Sequence, residues 1–400
     1  LGKLFRDSCY VAWDRLVLAA VDRSVDFVTL AGDIFDSPDP TVRSRVVFRE
    51  GLERLHEVGI PVYMTLGNHD PLMGFPQSLK SLPGLHVFGP DPQGTAVGSL
   101  ERTSGVVIFG ASFPKVAVTD NLVRRFFRDP GIDVAVGVLH ANVQGDWGHR
   151  NYAPCTKEDL RVAGMDVWCL GHVHSPMILS EDPLIFYPGS AQGAHINETG
   201  PRGCAVVTMN KAAAQVEPLN LAPVRWEQIR LHISDGADPE QIIFLAEEAC
   251  SRFSGERGSL EAVVARFTLS GTNSRGRLQT VGEHDDFMEI LEERLVSLPV
   301  PVFPESVVNA AQTSVDLEAL MAEDGFLAEY LKLSHKAALE RNLRQELLAG
   351  VQTSAGKHVA RRFLDGSLDC DRLISDPKAA ARLLKRCSEL VAHMFLDRWE

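Results

Sequence analysis

The sequence predicts an α/β protein: a layered sandwich over roughly the first 210 residues, then a small α/β unit and a helical tail. Three observations predict it. Four short apolar runs, FVTL (27–30), PVYMTL (61–66), VAVGVL (134–139) and VWCL (167–170), have the length and uniform hydrophobicity of strands buried on both faces. Segments of helical period lie among them. Each run also ends on polar residues: Gly32-Asp33, Gly67-Asn68-His69-Asp70, Leu139-His140, and Gly171-His172-Val173-His174. In an open α/β sheet the C-terminal strand ends line one crevice, so these groups are expected to meet there.

The elements follow in order. Residues 6–23 carry Tyr10, Trp13, Leu16, Val17 and Ala20 on one helical face. The 27–30 strand follows, then a helix at 42–58 and the strand at 61–66. Short strands at 84–88 and 105–109 flank a Pro/Gly/Gln-rich turn at 90–98. Residues 120–128 read as a helix stopped by Asp129-Pro130-Gly131. Strands are expected at 133–139 and 166–170, with 185–187 and 204–209 in a second sheet. Composition shifts at 210–224, and 225–269 reads strand, helix, strand. After a loop at 271–276, the chain turns helical and charged from His284, broken by the Pro-rich 299–304. Helical periodicity returns at 315–350 and 378–399. The expected domains are 1–215, 216–280 and 281–400.

Four hundred residues exceed one ordinary core. The apolar fraction of 45% suits globular folding, and no run is long and clean enough to span a membrane. The seven cysteines are odd in number, scattered and free of CxxC spacing, which points to a reducing, cytoplasmic setting. The net charge is −13 and neither half of the chain is basic, so tight DNA binding by this chain alone is not expected. The sequence opens at Leu1 on a helix that should follow a strand of a βαβ unit, which reads as N-terminal truncation.

The strand-end residues are a metal-ligand vocabulary. Asp33 follows a glycine that permits close approach and could bridge two cations. Asn68 offers a neutral oxygen; His140, His172 and His174 offer imidazole nitrogens suited to Mn, Zn or Fe. Spaced i and i+2 in extended chain, His172 and His174 point the same way. His69 would stand beside the metals, able to contact phosphate or protonate a leaving oxygen. Each motif alone is weak, since GD or NHD usually marks a turn. The ordered set implies two divalent cations and phosphoester hydrolysis. Asp36 and Asp70 could orient a histidine, but turn capping is the simpler reading. His149 and His195 could line the crevice, with a solvated or satisfied histidine the plainer alternative, and His56 and His86 read as non-functional. Arg124, Arg125 and Arg128, with Phe126 and Phe127, could hold a DNA backbone, but a helix with a solvated basic side and aromatic core contacts is the simpler reading.

GDIFD, GNHD, the single LH and GHVH resemble the calcineurin-like metallophosphoesterase superfamily. His140-Ala-Asn-Val, Trp147-Gly-His149, Tyr152-Ala-Pro154, Tyr187-Pro-Gly-Ser190 and Glu198 are similar to the SbcD/YhaO-type DNA repair exonuclease family. The resemblance implies a four-layer α-β-β-α sandwich with a small α/β capping domain. It implies Asp33 bridging two metals, most readily Mn2+, with Asn68, His140 and His172 completing one and His174 serving the other. His69 would be the catalytic histidine. The family's first motif, a DxH, is absent here, which implies weak or no activity for this stretch alone. The implied reaction is hydrolysis of DNA phosphodiester bonds, as exonuclease or endonuclease, with an SMC-like coiled-coil ATPase and a second copy as partners. A small-substrate phosphoesterase of the same fold, or an inactive repair scaffold docking the ATPase, are the competing readings.

Overall fold

The computed structural model describes residues 2–37, 39–97, 103–144, 151–234, 237–256, 259–271, 281–311, 317–346 and 376–396. The Trp147 to His149 motif, loop residues 272–276 and parts of the 315–350 and 378–399 segments lie outside the described residues.

The chain divides into two compact units, 1–228 with 253–265 and 296–303, and 229–252 with 266–295 and 304–400. The first begins with α1 (Gly2–Asp22), β1 (Val28–Ala31), α2 (Val42–Glu57), β2 (Val62–Thr65), α3 (Gln77–Lys80) and β3 (Leu85–Val87). Thr41 caps α2 by accepting from the Ser44 amide. Phe48, Leu52 and Leu55, three and four residues apart, then form one buried stripe. That stripe packs with Val17 and Ala20 of α1 against Val62 and Met64, and the Trp13 and Phe48 rings lie 5.0 Å apart. The three strands form a parallel sheet in the order β1-β2-β3.

A second sheet follows from β4 (Gln93–Ala96), β5 (Val106–Ala111), β6 (Val134–His140), then α4 (Lys157–Val162), β7 (Val167–Gly171), β8 (Met177–Glu181) and β9 (Leu184–Tyr187), in the order β4-β5-β6-β7-β9-β8. Its four inner strands run parallel and its edges antiparallel. Every residue of β6 is buried because the strand is covered on both sides. Val134, Val136 and Val138 face a core shared with Tyr63 of β2, Phe88, Phe27 and Ala31. Ala135 and Leu139 face the opposite core with Trp168, Leu160 and Phe126. The layers are therefore helices, sheet, sheet and helical segments, the four-layer α/β sandwich expected.

Several elements differ from the sequence reading. The four apolar runs are not strands of one sheet. Two belong to each of two sheets packed face to face, an arrangement that buried runs alone do not distinguish. The 90–98 turn contains a strand, β4, which pairs antiparallel with β5. The 120–128 helix is only a 3-10 turn over Leu122–Arg125. Phe126 then packs on Trp168 at 5.0 Å, and Arg128 donates to the carbonyls of Gly164, Ile132 and Asp133 and to Asp166. Phe127 is exposed rather than a core contact. Residues 185–187 lie in the main sheet as β9; β10 (Gly203–Met209) pairs with β11 (Ala214–Asn220) in a separate hairpin.

Further along come β12 (Val224–Ile233), α5 (Pro239–Ser251), β13 (Ala262–Gly271), α6 (Val281–Val296) and β14 (Val302–Asn309), with sheet order β12-β13-β14. β14 interrupts a region expected to be helical; Pro304 is tolerated because β14 is an edge strand. Then follow α7 (Leu317–Met321), α8 (Phe326–Leu339) and α9 (Pro377–Leu396). The Ser334 and Ser388 hydroxyls meet at 2.7 Å between α8 and α9. Among the described residues, no helix is long and apolar enough to cross a membrane.

Candidate metal centre

Four strand ends converge because glycines let them. Ala31 pairs with Thr65 at the ends of β1 and β2, and His140 with Gly171 at the ends of β6 and β7. A Cβ on Gly171 would overlap the Ala31 carbonyl, so the two sheets touch there. A Cβ on Gly32 would lie 2.7 Å from His140 Nδ1, and one on Gly67 2.8 Å from the His140 ring. Asp33 and His172 hold left-handed backbone, φ 52° and 99°. That conformation is costly for non-glycine residues and clusters at functional sites.

His140 is wholly buried at the centre. Its Nδ1 lies 3.0 Å from the Ala31 carbonyl, which can only accept, so Nδ1 carries the proton. In the neutral ring Nε2 is then a lone pair, 3.1 Å from Asn68 Oδ1 and 3.3 Å from Asp33 Oδ2. Three acceptors face one another across a space that a cation, or a proton on Nε2, would reconcile. His172 packs edge-on to His140 at 5.1 Å between centroids, with Tyr152 on it at 5.9 Å. Counting His, Cys, Asp and Glu alone, no ligating group of three or more forms among the described residues. The convergence depends on the Asn68 amide, and this mixed oxygen–nitrogen set fits a divalent cation of the Mn or Zn type.

The flanking residues divide by role. Asp70 Oδ1 accepts from the Gly67 amide at 2.8 Å and the Asp33 amide at 3.1 Å, and Oδ2 from the Ile34 amide at 2.7 Å. It staples the two ligand loops together and contacts no histidine through these bonds. Burial pushes its pKa up, the amide of Gly67 opposes this, and the Asp33 charge adds to the rise. For Asp33 itself, burial would raise the pKa, but His140, where Nε2 carries a proton, and the His69 amide outweigh it, so its carboxyl is held below the usual range. His69 Nδ1 stands 3.2 Å from the Asp36 carbonyl and 3.6 Å from its carboxylate. Asp36's side chain is otherwise fully exposed.

His174 sits on a separate arm, its Nδ1 2.5 Å from Glu198 Oε1. That bond raises the His174 pKa against the pull of burial. Burial would raise Glu198, but His174 and the Ala194 amide draw it down to about 2. The Asp33 charge adds to the rise at His174. The structure thus brings Asp33, Asn68, His140 and His172 together, sets His69 beside them, and holds His174 through Glu198. The sequence reading had no role for Glu198, because a carboxylate 24 residues beyond its histidine leaves no local pattern. His195 accepts from the Asn197 amide at 3.2 Å and stands 3.8 Å from Glu198. His86 lies against Phe88 at 4.7 Å and Thr95 at 3.2 Å, a structural position. Arg124 and Arg125 pair with Asp159 and Asp91.

A four-layer sandwich with Asp, Asn and His donors at converging strand ends defines a metal-dependent phosphoester hydrolase. The family described as calcineurin-like phosphoesterase matches residues 6–176. The "uncharacterized metallophosphoesterase YhaO" of Bacillus subtilis (strain 168) is 31% identical over 317 residues, spanning 79% of this chain and 77% of its own length. The chain belongs to the calcineurin-like phosphoesterase family, whose members generally use divalent metals. Proteins named "DNA double-strand break repair protein Mre11" from Thermoplasma acidophilum and Haloferax volcanii are 28% and 27% identical over 56% and 57% of this chain. The matches cover 61% and 50% of those two proteins.

Proposed function

We propose that this protein is a nuclease subunit that hydrolyses DNA phosphodiester bonds with two divalent cations, Mn2+ by preference. The observation that carries the metal reading is that two acceptors, Asn68 Oδ1 and Asp33 Oδ2, lie within 3.3 Å of a third, His140 Nε2. The resemblance to proteins named for DNA break repair supports the choice of substrate. Asp33, Asn68, His140 and His172 would hold one cation, and His174 would serve the second, with Asp33 contributing to both. When bound, the cations polarise the phosphoryl group and neutralise developing charge.

The chain's own residues do the rest. The buried His140 keeps its proton on Nδ1 through Ala31, so Nε2 stays a ligand. His69 engages the Asp36 carbonyl through Nδ1, which orients the ring, and Nε2 donates to a phosphate oxygen or the leaving group when both ring nitrogens carry protons. Asp70 holds both loops in register. The charge of −13 makes unaided DNA grip weak, which fits a partner of the SMC-like coiled-coil ATPase class and a cytoplasmic setting, with a second copy of the chain as a further partner. The test is Mn2+-dependent degradation of linear duplex DNA by the protein, against His69→Ala and Asn68→Ala. DNA degradation lost in both variants supports the reading. Turnover of small phosphodiesters alone would overturn it in favour of a small-substrate phosphoesterase, and no Mn2+ dependence of any kind in favour of a repair scaffold.

A further inference from the structure

We propose that Glu198 is a positioning residue for the second cation, acting through the His174 ring; this rests on the reading of His174 as a ligand. His174 lies beyond the end of β7, and its side chain is 43% exposed, so packing alone does not set its orientation. Two devices do. Its carbonyl receives the Ser190 amide at 2.9 Å and the Arg202 guanidinium. Its ring meets Glu198 Oε1 at 2.5 Å. Arg202, itself buried, also donates to the Thr199 carbonyl at 3.0 Å, tying the 199–202 segment to the same backbone point.

The carboxylate can only accept, so it assigns the proton to Nδ1 and makes Nε2 the nitrogen available to a metal. Glu198 is itself held: its side chain is only 10% exposed, and Oε2 accepts from the Ala194 amide at 2.8 Å. A buried, anchored carboxylate behind an exposed imidazole is the arrangement that orients metal-bound histidines and raises their basicity. The blander role, stapling the 194–198 turn through Ala194, predicts a stability effect independent of His174.

A double-mutant cycle on Mn2+ affinity, read by calorimetric titration of the metal alone, separates the two. Glu198→Gln should weaken the affected Mn2+ site ten- to a hundredfold. In a His174→Ala background the same substitution should change Mn2+ affinity less than about twofold, because the path through the imidazole is gone. Equal losses in both backgrounds, or wild-type Mn2+ affinity in Glu198→Gln, would overturn the role of Glu198. Wild-type Mn2+ binding by His174→Ala would instead overturn the ligand reading beneath it. Urea unfolding of each variant keeps the comparison to folded protein.

Discussion

Replacing Asp70 by asparagine exchanges one carboxylate oxygen for an amine in a place built from donors alone. The carboxylate receives three main-chain amides, from Gly67 at 2.8 Å, Asp33 at 3.1 Å and Ile34 at 2.7 Å, and is 2% exposed. Only an ionised carboxylate satisfies all three. An asparagine oxygen left toward Gly67 and Asp33 points its amine at the Ile34 amide. One orphaned buried donor costs about 1–3 kcal/mol, and the two remaining bonds lose roughly half their charge-assisted strength. The total is about 3 kcal/mol, or a fall of about 1 M in urea midpoint at an m-value of about 2–3 kcal/mol/M. Urea unfolding followed by tryptophan fluorescence measures it, with Asp36→Asn as the exposed control, expected within about 0.5 kcal/mol of wild type. An Asp70→Asn midpoint indistinguishable from wild type would refute the claim that this carboxylate ties the two loops.

Three further expectations follow from named contacts. Gly171→Ala, whose Cβ would overlap the Ala31 carbonyl, should destabilise by about 2 kcal/mol or more, whereas Gly131→Ala, with open space around it, should stay within about 0.5 kcal/mol; thermal unfolding compares them. Arg128→Ala removes donors to three carbonyls and Asp166 and should cost about 2–3 kcal/mol in the same assay. It should leave the salt dependence of DNA binding unchanged, since these contacts occupy the side chain within the protein. Glu305 is held at about 2 by Arg266 and Ser306, below its ordinary 4.5. A depressed carboxylate contributes stability that is complete above its unfolded pKa and is lost as pH falls through the folded value. Glu305→Gln should therefore lower the melting temperature slightly at pH 6 and by progressively less as pH falls from about 4 toward 2, as scanning fluorimetry can show. The pair lies at the surface, where solvent screens it, so the effect should be small.

Most of the strands and the set of residues that crowd together were legible in the sequence, because both follow from local pattern. Uniformly apolar runs mark β1, β2, β6 and β7, and the polar residues closing each run mark the strand ends that the structure brings together. The partition of those strands between two sheets was not legible, since a run buried on both faces looks the same in either. β14 was hidden because Pro301 and Pro304 argue against a strand unless it lies at an edge. The 120–128 segment has helical spacing, but burial of Phe126 on Trp168 and the carbonyls gathered by Arg128 outweigh local propensity. At the site, the turn-capping reading of Asp70 holds, since it accepts main-chain amides, but that two of them belong to Asp33 and Ile34 of the other loop was not legible. Glu198 stood out only through the resemblance, and its link to His174 was not legible because that link exists only in three dimensions.

The claim on which the rest depends is that Asp33, Asn68, His140 and His172 share one divalent cation. Mn2+ binding measured by equilibrium dialysis on wild type, His140→Ala and the control His86→Ala tests it most directly. The account predicts that His140→Ala loses at least one bound equivalent at Mn2+ concentrations that saturate wild type, while His86→Ala retains it. Wild-type Mn2+ stoichiometry and affinity in His140→Ala would contradict it.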